Sequence, residues 1–246
     1  MKNLKFFGLL SFSILIAACG SKHEGADAVV SEAKAVDNVV GSKAFTIDTK
    51  VSQITWIGSK PSGKHHGIIP IKEGTISIED NNIVGGSIKM DINGIKNLDL
   101  VNNEEMQAKL INHLKSVDFF DAANYPFAEF TITSVDLFSP DEAIKIKEEY
   151  ESENKPASAA EHIVASPTHK VTGNLTMRGK TLSISFPANI KFEDGKIMAK
   201  AKFNIDRTLW DLKYNDEAGV VNKAKDKFIY NTVNVGFNIV VETANL

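Results

Sequence analysis

Lys64-His65-His66 sets one cation beside two imidazoles, residue types that hold a metal ion or a phosphate. Neighbours on an extended strand point to opposite faces, so the two rings would not easily reach one metal together. No Glu-x-x-His motif or spaced second pair supports them, and His113, His162 and His169 are scattered. Asp118 and Asp121 form a carboxylate pair that could move a proton. An Asp-x-x-Asp beside a helix or turn more often caps backbone donors. Arg207 is one of only two arginines. If the alternation of Phe203 and Ile205 continues, Arg207 faces inward at a strand end and needs a partner, because an unpaired buried charge is very costly. The expected partners are Asp118, Asp121 or Asp211. The chain contains no Gly-x-Ser-x-Gly, His-Glu-x-x-His or phosphate-cradling Gly loop. No catalytic residue, metal or cofactor is therefore expected. A hydrolase using the Asp pair and a histidine would require those groups to meet in one cleft.

Cys19 is the only cysteine. Lys2 and Lys5 precede an apolar run from Phe6 to Ile16, too short to span a bilayer and laid out as a secretory signal. Ile16-Ala17-Ala18-Cys19 resembles the bacterial lipobox, so residues 1–18 are expected to be a signal peptide and Cys19 an acylated membrane anchor. Gly20 differs from the Asp that retains some lipoproteins at the inner membrane, which favours the outer membrane, facing the periplasm or the cell surface. The exported domain then has no disulfide and is held by its core. A 43% hydrophobic composition makes a sizeable core attainable in one main domain. No long Lys/Arg run exists to track a phosphate backbone, which argues against nucleic-acid binding.

The elements that must position these groups are strands. Residues 19–43 show no sustained period and read as a flexible tether. From residue 44 onward, apolar and polar residues alternate: Ile88, Met90 and Ile92; Leu182, Ile184 and Phe186; Ile197, Ala199, Ala201, Phe203 and Ile205; Val233, Val235, Phe237 and Ile239. Turn signals at Asp80-Asn81, Arg178-Gly179 and Asp194-Gly195 separate the runs. One helix is expected after Asn103, with Glu104 and Glu105 in its first turn and Met106, Leu110 and Leu114 as its apolar stripe. Residues 139–167 are charged and break the pattern, reading as an inserted, solvated loop. The fold class is all-β. About eight antiparallel strands, with one or two short helices, form a sandwich or close into a barrel, and closure removes the exposed edges. The polar face carries Lys, Asn, Thr and Ser and would be a poor lining against lipid, so the apolar face points inward. Such a barrel is either packed solid or holds an apolar ligand.

The stretches FTIDTKVSQITWIGSK, HLKSVDFFDAANYPFAEFTI, HKVTGNLTMRGKTLSISFPANI and AKFNIDRTLWDLKY resemble the YceI-like family in order and spacing. The resemblance covers about 45–242 and departs at the insertion and at Ser59–Gly67. It implies an eight-stranded, lipocalin-like barrel that binds an isoprenoid lipid, a polyprenyl phosphate or quinone, as ligand rather than cofactor. A carrier or storage role at the cell envelope follows, with oligomeric state left open, a dimer included. The candidate lining residues are Trp56, Phe119, Phe120, Tyr125, Phe127, Phe130, Phe186, Phe203, Trp210 and Phe237, and the candidate headgroup residues at the rim are Lys64, His65, His66 and Arg207. The alternative is a non-catalytic interaction module whose barrel is packed solid, displaying the 139–167 segment.

Overall fold

Residues 27–36, 41–139, 147–159, 161–219 and 227–243 are described by the computed structural model. The residues expected to form the signal peptide and the start of the tether, Cys19 among them, lie outside the described residues.

The strands are β1 (Val29–Glu32), β2 (Lys43–Thr46), β3 (Gln53–Lys60), β4 (Gly63–Glu79), β5 (Asn82–Asp91), β6 (Lys96–Asn97), β7 (Phe127–Leu137), β8 (His169–Met177), β9 (Lys180–Glu193), β10 (Lys196–Asp206) and β11 (Thr232–Glu242). Eight of them, β3, β4, β5, β7, β8, β9, β10 and β11, pair antiparallel in a ring that closes through β8 against β9. The turn residues explain the hairpins. Asp80 and Asn81 carry φ of 48° and 64°, and Arg178 and Gly179 carry 48° and 74°, the left-handed pairs that match strand twist in tight hairpins. Register shifts at Ile71/Glu73 and Ser77/Ile78 bend the seventeen-residue β4 around the curve. Trp56 lies across Gly67: a Cβ there would sit 1.8 Å from the Lys96 carbonyl and 2.7 Å from the indole, so only glycine admits both neighbours.

α1 (Glu104–Lys115), the one α-helix among the described residues, begins as the sequence indicates, with the Asn103 side chain accepting from the Met106 N–H at 3.1 Å. Its stripe is only partly correct. Leu110 and Leu114 pack on the core, whereas Met106 remains exposed at the far end of the helix.

Two segments expected to be solvated are packed onto the barrel, one within its wall and one over it. β9 pairs with β10 only between Ala188–Glu193 and Lys196–Ala201, and toward the mouth the two strands splay. β1 fills the splay. Val29–Glu32 pairs with Leu182–Ser185 of β9, while Asp27 bridges Asn204 of β10 in parallel. Ala28 is buried and Val30 packs on the core. The tether reading is therefore wrong for these residues, because splayed strands leave backbone donors and acceptors that another strand satisfies. The described part of the insertion also corrects expectation. Residues 147–159 and 161–167 form a strap over the outer face of β10 and β11, with Ala159 and Val164 buried. Asn204, Thr232 and Asn234 under it are buried too. The Asn204 and Asn234 amides donate to the Ala157 carbonyl, and Thr232 donates to Glu149.

Candidate functional site

Inward side chains pack one end of the barrel solid but leave the other hollow. A cavity of about 580 Å³ opens between the β3–β4 hairpin and the segments that follow β5 and β10. Its sides are aliphatic and sulfur-bearing, with Ile54 from β3, Ile88 and Met90 from β5, and Leu175 and Met177 from β8. Leu110 and Leu114 of α1, with Phe119 and Phe120 beyond it, cover one flank of the mouth; Leu212, Tyr214, Phe228 and Ile229 cover the other. This hollow contradicts the solid-barrel alternative.

The expected aromatic residues separate into two groups. Trp56, Phe119, Phe120, Phe130, Phe186, Phe203 and Phe237 line the cavity. Tyr125, Phe127 and Trp210 do not. Tyr125 packs against Gly179, where a Cβ would come within 2.8 Å of its ring, and Phe127 shares the outward phase of Glu129. Trp210 is fully buried in a short 3-10 turn (Arg207–Trp210), its indole N–H donating to the Leu175 carbonyl at 2.9 Å. The Trp56 indole N–H, by contrast, is buried without a hydrogen-bond partner among the described residues.

The rim candidates separate as well. His65 lines the mouth, while Lys64 and His66 point away from it. Both imidazoles approach a single carboxylate rather than a metal: His65 Nδ1 lies 2.7 Å and His66 Nδ1 3.5 Å from Asp99. Partial burial would raise the Asp99 pKa, but hydrogen bonds from the His66 backbone N–H, the His65 ring and the Asn97 amide outweigh it and hold the carboxyl below its usual range. Among the described residues no cluster of His, Cys, Asp or Glu is arranged to hold a metal. Lys60 and Lys227, which the sequence reading passed over, stand at the mouth.

Arg207 faces inward as the strand phase indicates, but the expected partners are wrong. Its guanidinium donates to backbone carbonyls: Tyr230 at 3.1 Å, Ile229 and Tyr214 at 3.0 Å, and Leu212. Burial pulls its pKa down, partly offset by the nearby Asp216, Asp206 and Glu217 charges. The ring of Phe119 lies 5.9 Å from it. Asp118 instead pairs with His113 at 2.9 Å. Asp121, at φ 49°, accepts both hydrogen bonds of the Asn124 amide and organises the turn before Pro126. Asp118 thus meets His113 while Asp121 is engaged by Asn124, so the two carboxylates take separate structural partners rather than sharing one histidine.

The ionisable side chains lining the cavity are Lys60, His65, His113, Arg207, Tyr214 and Lys227, and no carboxylate lines it among the described residues. The site therefore offers an apolar interior with a basic entrance. It suits a molecule with an apolar chain and an anionic or hydrogen-bond-accepting end.

A model of the YceI-like domain family matches residues 45–241. No curated protein sequence matches the chain. Among solved structures, a polyisoprenoid-binding domain from Saccharophagus degradans is 18% identical, with 81% of this chain and 98% of that one aligned at a TM-score of 0.52. BcnA of Burkholderia cenocepacia is 17% identical over 79% of this chain and 98% of its own, at 0.49. The Campylobacter jejuni YceI protein is 20% identical over 69% and 83%, at 0.36. The first of these superpositions supports the shared barrel fold.

Proposed function

Since the chain belongs to the family of YceI-like domains, we propose that it shelters the apolar chain of an isoprenoid-type lipid, with the lipid's anionic end held at the basic mouth. The observation that carries this reading is the cavity itself, about 580 Å³ and walled by aliphatic and aromatic side chains. The Saccharophagus relative is described as polyisoprenoid-binding, which supports a lipid of the same class here. A chain burying roughly 400 Å² would gain about 10 kcal/mol at about 25 cal/mol per Å², ample for retention after ordering costs. The absence of carboxylates from the described lining favours a polyprenyl phosphate over a neutral quinone, because Lys60 and Lys227 would attract the phosphate. The role is binding and transfer rather than catalysis. Acylation of Cys19 would hold the protein at the bacterial envelope, where such lipids reside.

The test is native mass spectrometry of the full chain carrying Cys19→Ser, purified from a bacterial host and then titrated with farnesyl phosphate or a short-chain ubiquinone. A co-purified lipid, or uptake of the phosphate in preference to the quinone, is expected. Apo protein that takes up neither would overturn the reading.

A further inference from the structure

The hollow ends abruptly at a layer of phenylalanines. Phe186 of β9 and Phe203 of β10 stack with centroids 4.1 Å apart and planes 5° apart. Phe237 of β11 meets both rings edge-on, at 5.4 and 6.3 Å, and Phe130 of β7 reaches Phe186 at 5.7 Å. Beyond them lies a second void of only about 30 Å³, the space of a single water molecule, walled by isoleucine and valine. Of the four rings, Phe130 and Phe237 line both spaces and, with Ile88, divide them directly, while Phe186 and Phe203 face the larger space only and brace the other two. Phe130 is pinned in place from behind: its Cζ lies 2.4 Å from where a Gly173 Cβ would stand, so only glycine on β8 lets the ring lie flat against the wall.

Building on the carrier reading, we propose that this four-ring partition is a ruler that sets the length of chain the protein accepts. At about 30 Å³ per heavy atom, the share of one water in the liquid, a 580 Å³ cavity holds about twenty heavy atoms. That corresponds to a chain of about four isoprene units, with longer chains left protruding into water. Each unit below the limit buries new apolar surface; each unit above it buries none. The partition is rigid because its rings come from four different strands and brace one another at aromatic contact distances.

The experiment titrates the full chain carrying Cys19→Ser with geranyl, farnesyl, geranylgeranyl and octaprenyl monophosphate, reading native mass spectra and the intrinsic tryptophan fluorescence, to which Trp56 in the cavity wall contributes. In the unaltered cavity, affinity should rise about tenfold or more per unit up to geranylgeranyl and change less than about twofold from there to octaprenyl. Two variants should move the break in opposite directions. Phe237→Leu thins the partition and lets longer chains gain affinity. Val235→Phe, one inward position nearer the mouth on β11, fills the cavity and moves the break to farnesyl or below. Val235→Phe adds volume to an existing void, so it keeps the test valid where Phe237→Leu impairs folding. A steady rise through octaprenyl, or a break unmoved in a folded variant, would refute the ruler while leaving the carrier reading standing. Failure to bind at every length would refute both.

Discussion

Asn234 of β11 donates its side-chain amide to Asn204 of β10 at 2.5 Å, and both amides also donate to the Ala157 carbonyl of the strap, at 2.9 and 3.1 Å. On the outer face of an open barrel these asparagines would be wetted. Here Asn234 is 2% and Asn204 4% exposed. The strap is therefore a second layer over the wall that backs Phe203 and Phe237, and its polar contacts fix where it lies. Its beginning is tied by Lys147, which reaches Glu217 at 3.0 Å and Glu149 at 3.4 Å. Near the mouth, the Asn154 amide donates to the Pro61 carbonyl at 3.1 Å.

Asn234→Ala should lower stability by about 1–3 kcal/mol, since it strands the Asn204 carbonyl oxygen and leaves one fewer donor for Ala157 in a buried site. Thermal unfolding checks the magnitude. Limited proteolysis checks the mechanism: cleavage within 147–159 should speed up more than cleavage elsewhere. A variant with wild-type melting and an equally protected strap would show that the asparagine pair does not hold it.

Arg207→Met should be more damaging. The guanidinium satisfies four carbonyls in two stretches beside the mouth, those of Leu212 and Tyr214 and those of Ile229 and Tyr230. Its removal leaves those carbonyls without donors, and a loss of at least about 3 kcal/mol is expected, since each buried acceptor left unpaired costs about 1–3 kcal/mol. Unfolding by denaturant measures it. A loss below about 1 kcal/mol would mean that water or a neighbouring donor replaces the side chain.

The strands were legible because their alternation is driven by burial on one face. The run Ile197 to Ile205 alternates in sequence and pairs residue for residue with β11. Phase also held more information than the ring count: in Phe127-Ala128-Glu129-Phe130, alternation sets Phe127 with Glu129, which is where it lies. β1 was illegible because four residues facing a local splay leave no period. The strap was illegible for a different reason. Asn204 and Asn234 occupy outward positions that read as ordinary solvated polar residues, and only a non-local segment arriving over them changes their meaning. The sharing of Asp99 by His65 and His66 is likewise non-local, set by the β4–β6 pairing that carries Asn97 and Asp99 beside them.

Deleting residues 27–36 should open the wall without abolishing the barrel. The Leu182–Ser185 stretch of β9 loses its β1 partners, and Ala28 and Val30 no longer cover the splay. Loss of a short ladder, the buried Ala28 and the half-buried Val30 predicts about 2–4 kcal/mol. Hydrogen exchange should quicken at 182–185 and remain slow at 188–193, which keep their β10 partner. Unchanged exchange at 182–185 would mean that β1 rests on the wall without closing it.

Acidification should loosen the strap through His162. Burial lowers its pKa below the ordinary 6.5, aided by the Lys202 charge and opposed by the hydrogen bond from its Nε2 to the Val235 carbonyl. A histidine whose folded pKa is depressed binds protons more readily when released. Its contribution is therefore intact above about pH 6.5 and declines as pH falls from there toward the folded value. Glu149 acts in the opposite sense. Burial raises its pKa above 4.5, against the Thr232 hydrogen bond and the Lys147 charge, so it favours the closed strap at low pH and loses that contribution as pH rises from about 4.5. The two pulls overlap, and a single profile of the native chain cannot separate them. His162→Gln can, since its amide keeps a donor for Val235 but does not titrate. Proteolysis of the strap between pH 7 and pH 5 should accelerate in the native chain and accelerate less in His162→Gln. Parallel profiles in the two proteins would rule out His162 as the group that releases the strap.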